Sequence, residues 1–159
     1  MAQLKNFRKV SAGIYRGGQP DRAALEELVS TGFKTVVSFR WQKKIVEREK
    51  QDCRDLDLEF VSIPLNYSNP PRRKDVKQFL SVLDQSQKHP IFVHCLHGKD
   101  RTGIMIALYR IVEESWTVHD AYKEMEACGF HKYRLRPFKW HLFKFAENLE
   151  QNMSMLEME

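Results

Sequence analysis

The sequence predicts an α/β fold. Three observations carry that reading. Strand-like and helix-like patterns alternate along the chain, one segment (102–112) is apolar on nearly every side, and 159 residues suit one compact domain, 1–159, rather than two. A domain of that size buries roughly 68–70% of its unfolded surface, so its core needs no covalent staple. With 42% hydrophobic and 30% charged residues, and no repeat or low-complexity tract, the chain reads as an ordinary globular protein.

The elements follow in order. A short segment around Ile14 to Arg16 leads into a Gly17-Gly18 turn. Asp21 can cap a helix whose apolar face is Ala24, Leu25, Leu28 and Val29, with Gly32 just past its end. Residues 35–39 (Thr-Val-Val-Ser-Phe) read as a buried strand, 43–55 as a charged helix and 59–64 as a second core strand. After a loop at 65–73, Val76, Phe79, Leu80 and Leu83 recur at helical spacing until His89-Pro90 breaks the pattern. Ile91-Phe92-Val93 is a third buried strand, and the apolar segment 102–112 is a helix at the centre of the fold. Thr117 and Asp120 open the next helix and Gly129 closes it. A last helix from about Pro137 carries Phe138, Leu142, Phe145 and Leu149 on one face, and residues beyond Asn152 are expected to fray.

Composition excludes several classes. No apolar run approaches the roughly 20 residues that span a bilayer, and the first ten residues contain no apolar signal-peptide core, so a cytoplasmic protein is expected. Cys53, Cys95 and Cys128 are scattered and odd in number, which argues against a disulfide framework and a zinc ribbon but leaves room for one functional thiol. A net charge of +5 favours anionic ligands. No zinc-finger spacing or long basic run accompanies it, so nucleic acid is not an expected partner. Oligomeric state is not legible.

The chemistry lies between the strand 91–93 and the central helix, in His94-Cys95-Leu96-His97-Gly98-Lys99-Asp100-Arg101-Thr102-Gly103. A strand feeding a tight, glycine-containing turn into a helix N-terminus aims backbone N–H groups at one spot, with the helix dipole behind them, and such a nest holds phosphate. A thiol there, beside Arg and Lys, can fall from a pKa of about 8.5 to roughly 3.5–7.5 and attack as the thiolate. Arg101 is always charged and fork-shaped, so it can grip two phosphate oxygens.

These residues resemble the protein tyrosine phosphatase superfamily, in which His-Cys-x5-Arg-Thr lies between a core strand and a helix; here it stands at 94–102. Tyr15-Arg16-Gly17-Gly18-Gln19-Pro20 and a strand ending in Arg40 extend the likeness, over nearly the whole chain, to compact bacterial and atypical dual-specificity phosphatases. The resemblance implies a central, mostly parallel sheet flanked by helices, with the phosphate-binding loop between the last core strand and a buried helix. It implies a phosphomonoester hydrolase without metal or organic cofactor. Cys95 would form a cysteinyl-phosphate, Arg101 would clamp phosphate, Thr102 would help the thiolate leave, and His94 would support the thiol and the loop. Leu96, His97, Gly98, Lys99 and Gly103 would contact the bound phosphate. Vanadate and thiol oxidation are expected to inhibit.

The general acid departs from the family's usual pattern. The loop 65–73 that commonly supplies an Asp holds no carboxylate, and Asp75 sits in a helix's first turn, where acids are commonly dipole partners. Gly98-Lys99-Asp100-Arg101 resembles the loops of myotubularins and some bacterial phosphatases, where the Asp before the Arg is the acid. Asp100 is the expected donor; the rival reading makes it a loop-orienting residue bonded to backbone. Lys99 matches a position at which phosphoinositide and inositol-phosphate phosphatases often carry Lys. Arg72, Arg73 and Lys74 are expected to overhang the pocket, and His131, Lys132, Arg134 and Arg136 form another basic cluster. Together they favour an inositol polyphosphate or phosphoinositide, as for the cysteine phytases, over a phosphoprotein or a non-catalytic phosphate-binding role. A metal at His94, Cys95 and His97 would crowd one turn with no fourth ligand.

Overall fold

The structure is a computed structural model that describes residues 4–158, so the outermost ends of the expected domain, 1–3 and 159, lie outside the described residues. Five strands form one sheet in the order β1-β2-β5-β3-β4. They are β1 Arg8–Ser11, β2 Ile14–Gly17, β3 Thr35–Ser38, β4 Glu59–Ser62 and β5 Ile91–His94. Only β1 runs antiparallel to its neighbour. It was not anticipated, because Arg8-Lys9-Val10-Ser11 offers a single apolar side chain. A charged edge strand needs no more, since only one flank is paired.

The strands alternate as the pleat requires. Val36 and Phe92 face one side and pack with Ala24, Leu25 and Leu28 of helix α1 (Arg22–Ser30) and Cys53 of α2 (Lys43–Asp55). Val37, Ile91 and Val93 face the other side, against α3 (Arg73–Leu83) and α4 (Arg101–Glu114). Helix α4 is buried from Arg101 through Leu108, which explains why its sequence is apolar on nearly every side. Helices α5 (Val118–Ala127), α6 (Arg136–Glu147) and α7 (Leu149–Met158) complete that layer. The caps fall where the sequence placed them: the Asp21 carboxylate accepts the Ala24 N–H at 2.8 Å, and Thr117 Oγ1 accepts that of Asp120 at 3.2 Å.

The C-terminus corrects two expectations. The last helix is two helices, broken at Asn148, so Leu149 belongs to α7 and not to the α6 face. Residues beyond Asn152 do not fray: α7 continues to Met158 and buries Leu156 in the main core. One well-placed apolar side chain is enough to dock a terminal helix, and the surrounding polar residues hid it.

Candidate active site

Strand β5 is flanked by β2 and β3, and Gly17 and Ser38 both lie level with His94. Three chain segments therefore leave the sheet side by side at the carboxyl ends of parallel strands, where α/β sheets form their ligand crevices. The middle segment is the loop 95–100.

Its geometry is set from outside. The Leu96 carbonyl accepts the Gln19 N–H at 3.0 Å, the His97 carbonyl accepts Asn6 Nδ2 at 2.8 Å, and the Gly98 carbonyl accepts Arg16 Nη2 at 3.0 Å. With its carbonyls tied outward, the turn leaves its N–H groups for an anion. Gly98 is obligatory: its φ is +72°, and a Cβ there would lie 2.4 Å from the Gly17 carbonyl carbon and oxygen. Arg16 is buried, its Nε and Nη1 have no partner among the described residues, and burial lowers its pKa. It supplies a cation behind the loop.

Cys95 sits at the base, 1% exposed. His94 is held on both nitrogens, Nδ1 against the Cys95 carbonyl at 3.1 Å and Nε2 against Glu49 Oε2 at 2.6 Å. A carbonyl only accepts, so Nδ1 carries its hydrogen. With both nitrogens committed, His94 is removed as a metal ligand. Glu49 Oε1 accepts Gln19 Nε2 at 2.9 Å, and Gln19 Oε1 accepts Arg40 Nη1 at 2.8 Å. A hydrogen-bonded chain thus runs Arg40–Gln19–Glu49–His94–Cys95. Glu49 was read only as part of a charged helix. Its signal was its spacing, four residues before Cys53 on the single buried stripe of α2.

Arg101 is 1% exposed, donates Nη1 to the Leu65 carbonyl at 3.1 Å and Nη2 to the Tyr67 hydroxyl at 3.4 Å, and stacks on the Tyr67 ring at 4.6 Å. Its Nε has no partner among the described residues. Arg40 lies close enough that Arg101, after burial, lowers its pKa, and the Arg40 Nε is also unpartnered. Thr102 is fully buried, and its hydroxyl makes no capping or other hydrogen bond among the described residues. Gly103 follows within the first turn of α4, also buried. Burial, then Lys99 and Lys5, hold the His97 pKa below its ordinary value.

The remaining expected residues are placed differently. Asp100 is buried, and both its oxygens are taken by His131: the backbone N–H at 2.9 Å and Nδ1 at 2.8 Å. The rival reading, a loop-orienting carboxylate, describes this geometry better than a free acid does. Asp75 accepts the Arg72 N–H at 3.0 Å and Nε at 3.2 Å, so Arg72 meets a carboxylate before any substrate. Arg73 opens α3 beside it. Of the second basic cluster, His131 is bonded to the loop, and Lys132 pairs with Glu126 at 3.2 Å. Among the described residues, no group of three or more His, Cys, Asp or Glu side chains could hold a metal ion, and no helix is long and apolar enough to cross a membrane.

Burial, Glu49 and Asp52 push the Cys53 pKa up to about 12. Iodoacetamide at pH 8, read by peptide mass spectrometry on native protein, should therefore label Cys53 more slowly than a thiol of ordinary pKa. Labelling of Cys53 at a comparable rate would contradict that environment.

A thiol beneath a strand–loop–helix nest, with a guanidinium at the loop's exit, defines the protein tyrosine phosphatase superfamily of cysteine-dependent phosphatases. Within it the chain belongs to the dual-specificity-type family described as DSP-PTPase phosphatase fused to NAD+ kinase, which matches residues 4–140. The dual specificity protein phosphatase TpbA of Pseudomonas aeruginosa is 33% identical over 129 residues, 79% of this chain and 55% of TpbA, so the chain spans about half the length of that relative. The crystal structure of P. aeruginosa TpbA shares the fold, with a TM-score of 0.77 at 24% identity over 97% of this chain and 93% of that one. Inositol diphosphatase DSP3 of Arabidopsis thaliana is 30% identical over 139 residues, 86% of this chain and 68% of the relative.

Proposed function

We propose that this chain is a phosphomonoester hydrolase working through a cysteinyl-phosphate, and that its substrate is an inositol polyphosphate or a phosphoinositide. The observation that carries the substrate class is Arg40. A second, nearly buried guanidinium beside Arg101, with an unpartnered N–H, exceeds what one phosphate requires. Two like charges held close in a partly dry site repel each other, and a second phosphate next to the scissile one would relieve that repulsion. Lys99 in the same turn adds to the anionic preference, and the similarity to an inositol diphosphatase agrees with it.

In this reading the Cys95 thiolate attacks phosphorus, the S–P bond forms as the P–O bond breaks, and water then cleaves the S–P bond. Arg101 and the N–H groups of residues 96–101 hold the equatorial oxygens through both steps. The free Thr102 hydroxyl supports departure of the thiolate.

The test is phosphate release from inositol hexakisphosphate, short-chain phosphoinositides and phosphotyrosine peptides, with Cys95→Ser as the blank. Inositol phosphates should give the highest kcat/KM. Arg40→Gln should cut that value by roughly tenfold or more, the worth of a charge-assisted hydrogen bond, and affect p-nitrophenyl phosphate less. Preference for phosphopeptides would overturn the substrate class and leave the chemistry standing.

A further inference from the structure

We infer that His131, held by Asp100, delivers the proton to the departing oxygen, and that Asp100 acts as its positioning residue. The inference rests on the proposed phosphatase chemistry and adds one residue to the same site.

The carboxylates available as acids are each committed. Glu49 is bonded to His94 and Gln19, Asp75 to Arg72, and Asp100 to His131 through both oxygens. The Asp100 side chain is 4% exposed, whereas that of His131 is 38% exposed. The imidazole is thus open to solvent, and the carboxylate is not.

The segment carrying His131 is docked onto the phosphate loop at consecutive residues. The Lys99 stem lies over Gly129, where a Cβ would come within 2.9 Å of Lys99 Cδ, and Asp100 brackets His131. Helix α5 anchors this segment through Arg110 of α4, whose Nε and Nη2 donate to Glu124 at 3.0 and 2.9 Å. The groups facing His131 from the loop are Asp100 and, more distantly, His97. Burial and two lysines hold the His97 pKa below its ordinary value. With Nδ1 bonded to the carboxylate, Nε2 is left as the nitrogen whose proton can move, and a buried carboxylate that orients an imidazole without itself titrating is a known division of labour.

The proton balance closes. In the first step the S–P bond forms, the P–O bond breaks, and the Nε2 proton of the imidazolium passes to the leaving oxygen. In the second, water attacks phosphorus, the S–P bond breaks, and the water proton returns to Nε2, restoring thiolate and imidazolium.

The test compares wild type, His131→Gln, Asp100→Asn and the double variant on phenyl phosphate, a poor leaving group, and p-nitrophenyl phosphate, a good one. His131→Gln should lower kcat on phenyl phosphate by roughly 100-fold. The loss on p-nitrophenyl phosphate should be smaller by about tenfold or more, because that leaving group needs less help. Asp100→Asn should show the same pattern, with no further loss in the double variant. In a further variant, His131→Ala, added imidazole should restore part of the rate on phenyl phosphate. Equal losses on both substrates would make His131 merely structural. A loss confined to Asp100→Asn would make Asp100 itself the acid. Should Asp100→Asn not fold, His131→Gln, a change at a half-exposed side chain, decides alone. If wild type turns over neither substrate, the phosphatase reading fails first and this inference with it.

Discussion

Cys95→Ser should abolish turnover, with a loss on the order of 10⁴-fold or more in kcat, comparable to removing the nucleophile of other covalent enzymes. The serine hydroxyl stays protonated in the same nest and offers no equivalent of the thiolate. Little else changes, because the loop's shape does not depend on the sulfur: Gln19, Asn6 and Arg16 hold its carbonyls and Gly98 its turn. The variant should therefore melt close to wild type and still bind vanadate or inorganic phosphate, as seen by a thermal shift on adding the anion. A serine variant within a hundredfold of wild type would remove Cys95 from the mechanism. An inactive variant that no longer binds phosphate would instead place the sulfur among the supports of the loop.

Glu49→Ala carries the second large effect, this time on stability. Glu49 and His94 are 3% and 0% exposed, 2.6 Å apart, on elements far apart in sequence. Removing one member of a buried, hydrogen-bonded pair leaves the other without its partner, which costs about 3–5 kcal/mol. For a domain of this size that corresponds to a fall in Tm of roughly 10 °C. The same change releases Gln19, and through it Arg40, so kcat should drop in whatever fraction remains folded. Glu49→Gln keeps the shape and one hydrogen bond and should fall between the two. A Glu49→Ala protein that melts with wild type would show that the pair contributes nothing net.

Much of the site was readable because it is local. Ten consecutive residues, 94–103, contain strand end, turn and helix start, and a nest of this kind is made by adjacent backbone groups rather than by distant partners. The alternation of strands and helices, the buried α4 and the two side-chain caps were legible for the same reason: each follows from spacings of two to four residues. Strand β1 and the docking of α7 were not, because a paired edge and one buried leucine leave little periodic trace.

What the sequence by itself determined, then, is the class of fold and the loop 94–103 that sets Cys95, Gly98 and Arg101 between a strand and a helix. Tertiary structure alone decided which charged residues serve them. Glu49 looked like any acid on a charged helix until it met His94, 45 residues away. Arg16 and Arg40 became cations of the site only when β2 and β3 flanked β5. Asp100 and His131, 31 residues apart, became a pair only when the segment after α5 closed over the loop. A buried charge is defined by its partners, and partners across a sheet or between helices have no fixed spacing along the chain.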